Sequence, residues 1–257
     1  MNRALWVSAT GMQSQQTLTE TIAHNMANVN TNGYKRSVVH FQDLLYQNSS
    51  SPGGKSNDGE VPLGIQKGSG VRTIAISKSF GQGSLRNSSN ALDMAIEGDG
   101  FFQVTKNNET LYTRTGNFTL NSAGQVVTPD GGVVSNFPTI DPNATAIVIA
   151  ADGTVSITAN GGTTNAGQIQ LARFVNPEGL KAMGGNLYQE TDSSGTATLG
   201  APSASGFGSV SQYFLETSNV EIINEMVDMI AAQRAYELLS KGIKSADEMM
   251  RTATNIK

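Results

Sequence analysis

The stretch Ser218–Ala253 reads SNVEIINEMVDMIAAQRAYELLSKGIKSADEMMRTA, and its apolar residues recur with a regular period. Apolar side chains recur at the spacing of one helix face, in the order Val220, Ile223, Val227 and Ile230. Ser218 and Glu221 match a capping box, in which each side chain satisfies a free backbone N–H of the other residue. Acidic residues crowd the start of the stretch and basic residues its end, as the helix dipole favours. The sequence therefore predicts one helix over about 218–253.

The N-terminal segment, about 3–29, is predicted as a second helix. Its stripe follows heptad spacing, diluted by Gln and Thr, through Leu5, Ala9, Met12, Gln16, Thr19, Ala23 and Met26, with Leu18, Ile22 and Val29 alongside. Gly11 costs roughly 1 kcal/mol relative to Ala inside a helix. The turn formers of residues 28–33 end the helix.

Helix breakers concentrate between the two helices. Of 28 Gly, all but Gly11 and Gly242 lie in residues 33–217, and all 7 Pro lie in 52–202. Alternating apolar residues flank short turns such as Asp152-Gly153, which indicates antiparallel hairpins. The chain is predicted to be an α+β protein, with long terminal helices forming a coiled-coil-like bundle and a mainly antiparallel β middle.

Four segments are expected. Residues 1–33 form the N-terminal helix, 34–80 an extended linker or arm, 81–216 the mainly-β domain and 217–257 the C-terminal helix. Residues 47–70 are too polar and broken to fold alone. They are either a linker or an arm ordered by a neighbour.

The composition narrows the function classes. The chain has 257 residues, a net charge of −4 and 15% charged residues, whereas nucleic acids and anionic membranes are bound through dense Lys and Arg. We expect no nucleic-acid partner, and no insertion into a membrane, because no run approaches the ~20 apolar residues of a span. The absence of Cys excludes a disulfide framework and a thiolate zinc site. The apolar run near the start is shorter than the about 7–15 residues of a secretory signal, so a cleaved signal peptide is not expected.

A search for catalytic, cofactor-binding and metal-ligating motifs proposes no residues. Gly54-Lys55-Ser56 resembles the end of a phosphate-binding loop, but Ser49 stands where that loop needs a glycine. Gly98-Asp99-Gly100 precedes two Phe rather than a helix, so it is predicted as a turn. We expect no cofactor and no enzyme activity. A glycan-cleaving enzyme remains an alternative, because its paired carboxylates are close in space and not in sequence.

The predicted C-terminal helix is too long for its apolar face to be covered by its own chain. About 34 residues span roughly 51 Å, and a second seam that includes Met226, Met229, Tyr236 and Ile243 widens that face. Copies of the chain could bury each other's ends, and a head-to-tail contact that does not close generates a helical filament. The alternative is a compact monomer with both helices packed across the β domain.

Several strings resemble signatures of the bacterial flagellar rod and hook proteins. They are AHNMANVNTNGYKR at 23–36, IEGDGFFQV at 96–104, YTRTGNF at 112–118, ETSNV at 216–220 and EMVDMIAAQRAYE at 225–237. They follow the family's order across nearly the whole chain. FQDLLYQ at 41–47, the polar insert after it and GNLYQET at 185–191 are most similar to the distal rod branch. A proximal rod or hook-type subunit is the nearest alternative.

The resemblance implies a structural subunit that stacks helically into a hollow drive shaft across the periplasm. In that family the terminal helices line an inner tube and the β domains lie outside. The implied partners are other copies, proximal rod proteins, the hook protein, the surrounding rings and the flagellar export apparatus, which needs no cleaved signal peptide. A secreted β-rich binding protein is the alternative from another class.

The resemblance also implies which residues assemble. The expected self-assembly interface comprises Leu5, Met12, Ile22, Asn25, Met26, Asn28, Val29, Val220, Ile223, Val227, Ile230, Arg234, Tyr236 and Ile243. The expected rod-specific arm carries Phe41, Leu44, Leu45 and Tyr46. Limited proteolysis of dilute protein is expected to leave a core near 36–217.

Overall fold

The computed structural model describes residues 3–50, 55–56, 59–60, 64–141, 144–159 and 162–255. The chain divides into two compact units. The terminal unit contains residues 1–27, 37–77 and 221–257, and the β unit contains residues 28–36 and 78–220. Each unit is therefore assembled from stretches that are distant in the sequence.

Two antiparallel helices form the frame of the terminal unit. Helix α1 spans Arg3–Ala27 and helix α2 spans Ile222–Asn255. Asn25 contacts Glu225 near one end, and towards the other end Gly11 faces Leu239 and Ser8 lies beside Gly242. A Cβ atom built on Gly11 would lie 3.0 Å from Cδ1 of Leu239, so the glycine lets the helices approach closely. Close approach offsets the low helix propensity of Gly11.

Among the described residues, six short strands follow α1 in the range 37–78. Their bounds are β1 Ser37–Asp43, β2 Gln47–Ser50, β3 Lys55–Ser56, β4 Gly59–Glu60, β5 Ile65–Lys67 and β6 Val71–Lys78. β1 pairs with β6, β2 with β5 and β3 with β4. The segment that was predicted as an extended linker or arm is thus a nested ribbon of paired strands where it is described. Residues 51–54, 57–58 and 61–63 of the predicted arm lie outside the described residues.

The interior of the terminal unit is built from small and polar side chains. The buried side chains include Ser14, Thr21, Ile22, Asn25, Ser37, Glu225, Ala232 and Ala246. Small side chains let two helices pack closely, but they remove little apolar area from water.

The β unit is antiparallel wherever its pairing is described. Its strands are β7 Leu85–Asn87, β8 Met94–Glu97, β9 Phe101–Lys106, β10 Glu109–Thr113, β11 Thr119–Leu120, β12 Val126–Val127, β13 Val133–Val134, β14 Ala146–Ile149, β15 Thr154–Ala159, β16 Gly162–Gln168, β17 Leu171–Arg173, β18 Lys181–Gly184, β19 Leu187–Gln189, β20 Thr198–Gly200, β21 Ser209–Gln212 and β22 Phe214–Glu216. A single 3₁₀ turn, Pro177–Gly179, is described among them.

One large sheet dominates the β unit. Its strand order is β11-β12-β13-β9-β10-β19-β18, with β17 paired to β9 and β20 paired to β17. β14, β15 and β16 form a smaller sheet, while β21 pairs with β8 and β22 with β7. The predicted antiparallel middle domain is confirmed.

Two buried apolar clusters lie in the β unit, and β9 contributes to both. Successive residues of a strand point to opposite faces, so Phe102 enters one cluster and Phe101 the other. Phe102 packs edge-on against Phe118, with ring centroids 5.1 Å apart. Phe101 makes the same kind of contact with Phe174 at 5.6 Å. The β unit therefore has a core of its own.

The hairpin predicted at Asp152-Gly153 is confirmed. It joins β14 to β15, and Gly153 has φ +79°, a conformation that favours glycine. The backbone N–H of Thr154 donates to Oδ1 of Asp152 at 3.0 Å. That hydrogen bond stabilises the carboxylate and lowers the pKa of Asp152.

The predicted start of the C-terminal helix is wrong by four residues. α2 begins at Ile222, and the first helical bond runs from the Glu225 N–H to the Glu221 carbonyl. Ser218 therefore does not cap the helix. The adjoining Asn219 holds this segment outside the helix, because its amide donates to the carbonyls of Ser79 and Gly81.

Candidate assembly interface

An exposed apolar stripe runs along the first half of α2. Ile223, Val227 and Ile230 are 78%, 59% and 56% exposed, and their spacing places them on one helix face. Ile222 and Met226 lie beside them and are also exposed. We call these five residues the α2 stripe. A contiguous apolar surface of this kind marks a site of protein association.

Arg234 continues the α2 stripe by one turn. Its Nη1 lies 3.1 Å from Oε2 of Glu237, and both side chains remain largely in water. Exposed ion pairs of this kind contribute little to stability. Arg234 is therefore accessible to a partner that approaches the stripe.

The α1 residues that we expected at the interface fall into two groups. Leu5, Met12 and Met26 are half-buried, whereas Ile22 and Asn25 are buried inside the terminal unit. Trp6, which the sequence analysis did not select, is exposed at the start of α1. In the single chain, Ile22 and Asn25 contact their own unit, and a second copy can reach the side chains of the first group.

Asn25 joins three elements of the terminal unit. Its Nδ2 donates to the carbonyl of Ser37 at 2.9 Å, and its Oδ1 accepts from the N–H of the same residue at 2.9 Å. The side-chain amide thus pairs with the start of β1 as a strand backbone would. Nδ2 also lies 3.3 Å from Oε2 of the buried Glu225 on α2. This role inside the chain explains why Asn25 is only 1% exposed.

Three of the expected interface residues belong to the β unit. Asn28 and Val29 are half-buried after the end of α1, and Oδ1 of Asn28 accepts from the Thr31 hydroxyl at 3.2 Å. Val220 is buried just before α2. These three residues therefore belong to a different unit from the α2 stripe.

A shallow groove of about 360 Å³ lies between α1 and α2. Its lining residues are Gln16, Thr19, Gln233, Tyr236 and Glu237. Tyr236 was expected at the interface and is exposed, whereas Ile243, two turns further, is half-buried. Gln16 and Thr19 of the groove lining come from α1, and the other three lining residues come from α2.

The residues expected in the arm lie on β1 and on the turn that follows it. Leu45 is 90% exposed, and Phe41 and Tyr46 are also exposed. Leu44 is half-buried, and its N–H donates to the Gly70 carbonyl at 2.8 Å. A cavity of about 510 Å³ opens beside this turn, with Arg72 among its lining residues. The base of the arm thus presents apolar side chains to its surroundings.

The β unit contains a buried charged cluster that the sequence analysis missed. Glu216 lies between Lys35 and Arg114, with Nζ of Lys35 at 2.6 Å and Nε of Arg114 at 3.0 Å. Burial lowers the pKa of Lys35, and the carboxylate of Glu216 opposes that shift. In the sequence, Lys35, Arg114 and Glu216 each lie in one of the quoted signature strings, and this was the only signal that could have pointed to the cluster. Their meeting depends on pairing that spans most of the chain.

The described residues show no metal site, because no three His, Cys, Asp or Glu side chains come together among them. His40 shares a hydrogen bond of 2.8 Å with the Ser77 hydroxyl on the exposed ribbon. Within the described part of the chain, no helix is both long and apolar enough to cross a membrane.

Comparisons with known proteins match three parts of the chain to family models. Residues 5–35 match "Flagella basal body rod protein", residues 95–157 match "Flagellar hook protein FlgE/F/G D1 domain", and residues 211–256 match "Flagellar basal body rod FlgEFG protein C-terminal". These segments include both helices and part of the β unit.

Individual relatives match over nearly their whole length. The flagellar basal-body rod protein FlgG of Caulobacter vibrioides is 44% identical over 99% of both chains. FlgG of Bacillus subtilis is 38% identical over 100% of both chains. The rod protein FlgF of Caulobacter vibrioides is 33% identical over 98% of this chain and 97% of its own.

Two terminal helices, an antiparallel β middle and these matches define a class of axial structural proteins, not enzymes. The chain belongs to the flagellar basal-body rod protein family. It is a structural subunit of the rod.

Proposed function

We propose that the chain forms the distal part of the rod, as a helical homopolymer that makes a hollow, torque-transmitting shaft. Export of flagellar proteins passes through this shaft. Identity of 44% to FlgG, against 33% to FlgF of the same bacterium, supports the distal position. The proposed location is the periplasm-spanning part of the basal body. Proximal rod proteins, the hook protein, the surrounding rings and the export apparatus are the proposed partners.

The main support for this proposal is the α2 stripe. Burying an Ile or Val side chain contributes about 1.5–3 kcal/mol, and three such side chains face water at 223, 227 and 230. We propose that helices of neighbouring copies cover this stripe, and that α1 and α2 join a coiled-coil-like bundle in the polymer. The inner-tube domain would then comprise residues 1–33 and 217–257.

The surfaces on the terminal unit favour an open polymer over a closed dimer. The α2 stripe lies in the first half of the helix, whereas the groove beside Tyr236 is formed jointly with α1. A contact between two different surfaces is heterologous, and repetition of a heterologous contact gives a filament when the rotation does not close. Arg234 lies between the two surfaces in sequence and adds a charge to the contact.

The arm extends the proposed contact to neighbouring copies. Leu45, Tyr46 and Phe41 are exposed at its base, and packing them against an adjacent subunit would resist bending of the shaft. We therefore assign residues 47–70 the role of a wedge that stiffens the polymer. The paired strands β2 and β5 give this wedge a defined base.

The test is the double variant Ile223→Asp, Val227→Asp in the full-length chain. Loss of two apolar contacts and burial of two carboxylates should raise the concentration needed for polymerisation by at least about a hundredfold. Sedimentation and negative-stain electron microscopy measure polymer, and circular dichroism verifies that the subunit remains folded. Both positions are exposed, so we expect little change in subunit stability.

The matched control is Val148→Asp, which places the same charge at an exposed position of the β unit. It should polymerise like the unsubstituted chain. The proposal is wrong if the double variant forms filaments at the same concentration as this control.

A further inference from the structure

The buried charged cluster connects the two places where the chain enters and leaves the β unit. Lys35 lies in residues 28–36, which directly follow α1 and which we call the incoming segment. Glu216 ends β22 and begins residues 216–220, the outgoing segment, which directly precedes α2. Arg114 comes from the middle of the chain, after β10. The three side chains are together almost fully removed from water.

The carboxylate of Glu216 is the centre of the cluster. Oε1 accepts from Nζ of Lys35 at 2.6 Å and from the N–H of Gly83 at 3.0 Å. Oε2 accepts from Nε of Arg114 at 3.0 Å. Both oxygens therefore accept hydrogen bonds, three in all.

The cluster holds two cations and one carboxylate, and backbone carbonyls accept the remaining hydrogen bonds of Lys35 and Arg114. Nη1 of Arg114 donates to the carbonyls of Gly98 and Gly100 at 2.8 and 2.6 Å, and Nζ of Lys35 donates to the Gly81 carbonyl at 2.9 Å. Among the described residues, no buried side-chain nitrogen or oxygen lacks a hydrogen-bond partner. The Gly98-Asp99-Gly100 turn thus serves as an acceptor for Arg114.

Backbone contacts bring the incoming and outgoing segments together at the same place. The N–H of Gly33 donates to the Glu216 carbonyl at 2.8 Å, and Oδ1 of Asn219 accepts from the N–H of Arg36 at 2.7 Å. Gly33 has φ +67°, and a Cβ atom there would lie 2.8 Å from the Thr115 nitrogen. Neither the conformation nor the space admits a side chain at Gly33.

Apolar packing accounts for only part of how these segments are held, since Tyr34 in one and Val220 in the other are buried. Neither of the two buried apolar clusters contains a described residue from 28–36 or from 216–220. Replacing a buried ion pair by apolar residues is often neutral or stabilising, so three buried charges are a poor means of raising stability. Directional hydrogen bonds are, however, well suited to fixing one alignment of two segments.

We propose that Lys35, Arg114 and Glu216 form a clasp that fixes the alignment of the incoming and outgoing segments, the two places where the chain enters and leaves the β unit. The clasp is complete within one chain. It therefore holds both segments in the free subunit, before any copy is added, and does not depend on the proposed polymer. The protease-resistant core of the free subunit should accordingly extend to about 28–220, beyond the 36–217 expected from the sequence.

The test is hydrogen exchange on dilute, full-length protein carrying Glu216→Gln. The amide nitrogen of Gln donates where Glu216 accepts, so it opposes either Lys35 or Arg114. Exchange in residues 28–36 and 216–220 should accelerate by about tenfold or more, while β9 in the core keeps its protection. Asp130→Asn removes the exposed pair of Lys106 and Asp130 and serves as the matched control, with no change expected in either segment.

A second variant replaces all three charges, as Lys35→Met, Arg114→Met, Glu216→Leu, and decides the question if Glu216→Gln does not fold. The clasp predicts a protected β9 with rapidly exchanging segments, because apolar side chains do not specify an alignment. Protection of the segments at the level of the unsubstituted chain in this variant would overturn the proposal. An equal loss of protection in β9 would also overturn it, since the cluster would then contribute only to overall stability.

Discussion

The two units of the molecule use their apolar residues in opposite ways. In the β unit, Phe101 and Phe102 turn inward to separate buried clusters. In the terminal unit, Ile223 and Val227 face water while Asn25 and Glu225 are buried. The terminal unit buries few apolar side chains and leaves an apolar stripe in water, whereas the β unit has two buried apolar clusters in addition to its charged cluster. This contrast agrees with the proposal that other copies of the chain complete the terminal unit, whereas the β unit has a core of its own.

The largest effect should come from the core of the β unit. Phe102→Ala leaves a cavity at a fully buried position and should lower the free energy of unfolding by about 3–5 kcal/mol. Denaturant unfolding followed by far-ultraviolet circular dichroism measures this loss. Ile74→Ala, at an exposed position of the ribbon in the terminal unit, is the control and should cost less than about 0.5 kcal/mol in the free subunit. Equal losses at the two positions would contradict the contrast between the units.

An intermediate effect should come from the close packing of the helices. Ala232 is buried on α2, and Leu in its place would overfill the helix interface and cost about 1–3 kcal/mol. Thermal melting of the helical signal at full length measures the change. Ala231→Leu is the matched control, since Ala231 is exposed on the same turn of α2. If both variants melt alike, small side chains are not what brings the helices together.

The smallest effect concerns alkaline pH. Burial, with Glu190 nearby, raises the pKa of Tyr112 to about 12, and burial also raises the pKa of Tyr188. Both residues are in the β unit. Since the folded state holds these protons more tightly than the unfolded state does, their stabilising effect is complete below pH 10 and is lost as the pH rises towards 12. The β unit should therefore lose stability over this range.

The variant Tyr112→Phe measures how much the phenol group of Tyr112 contributes to the loss of stability at alkaline pH. The variant should show a shallower decline of the unfolding free energy between pH 10 and 12 than the unsubstituted chain. Absorbance of the phenolate during an alkaline titration reports the ionisation itself. An identical decline in the two proteins would show that Tyr112 does not couple ionisation to folding.

Local features of the fold could be predicted from the sequence, and features that depend on distant pairing could not. The apolar period of Val220 to Ile230 predicted α2, and Asp152-Gly153 predicted a hairpin, because both signals lie within a few residues. The start of α2 was misplaced because Asn219 bonds to Ser79 and Gly81, far away in the chain. The ribbon of β1 and β6 was missed for the same reason.

For the candidate assembly interface too, the sequence predicts features of one helix but not the contacts between distant segments. The exposure of Ile223, Val227 and Ile230 agrees with the periodic stripe in the sequence, and their role in assembly stays a prediction. Ile22 and Asn25 were selected from the resemblance, and the structure shows both of them buried inside the terminal unit. A hydrophobic pattern identifies a face, but only the packing identifies what covers it.

In the terminal unit, the C-terminal end of α2 extends beyond the described start of α1. With Ser8 beside Gly242 and Asn25 beside Glu225, the antiparallel register sets Arg3 opposite Asp247. Residues 248–255 of α2 therefore project about 12 Å past the described start of α1. A fibre built from such subunits by head-to-tail contacts is polar. The two ends of such a fibre present different surfaces to an incoming subunit, so elongation can be faster at one end than at the other.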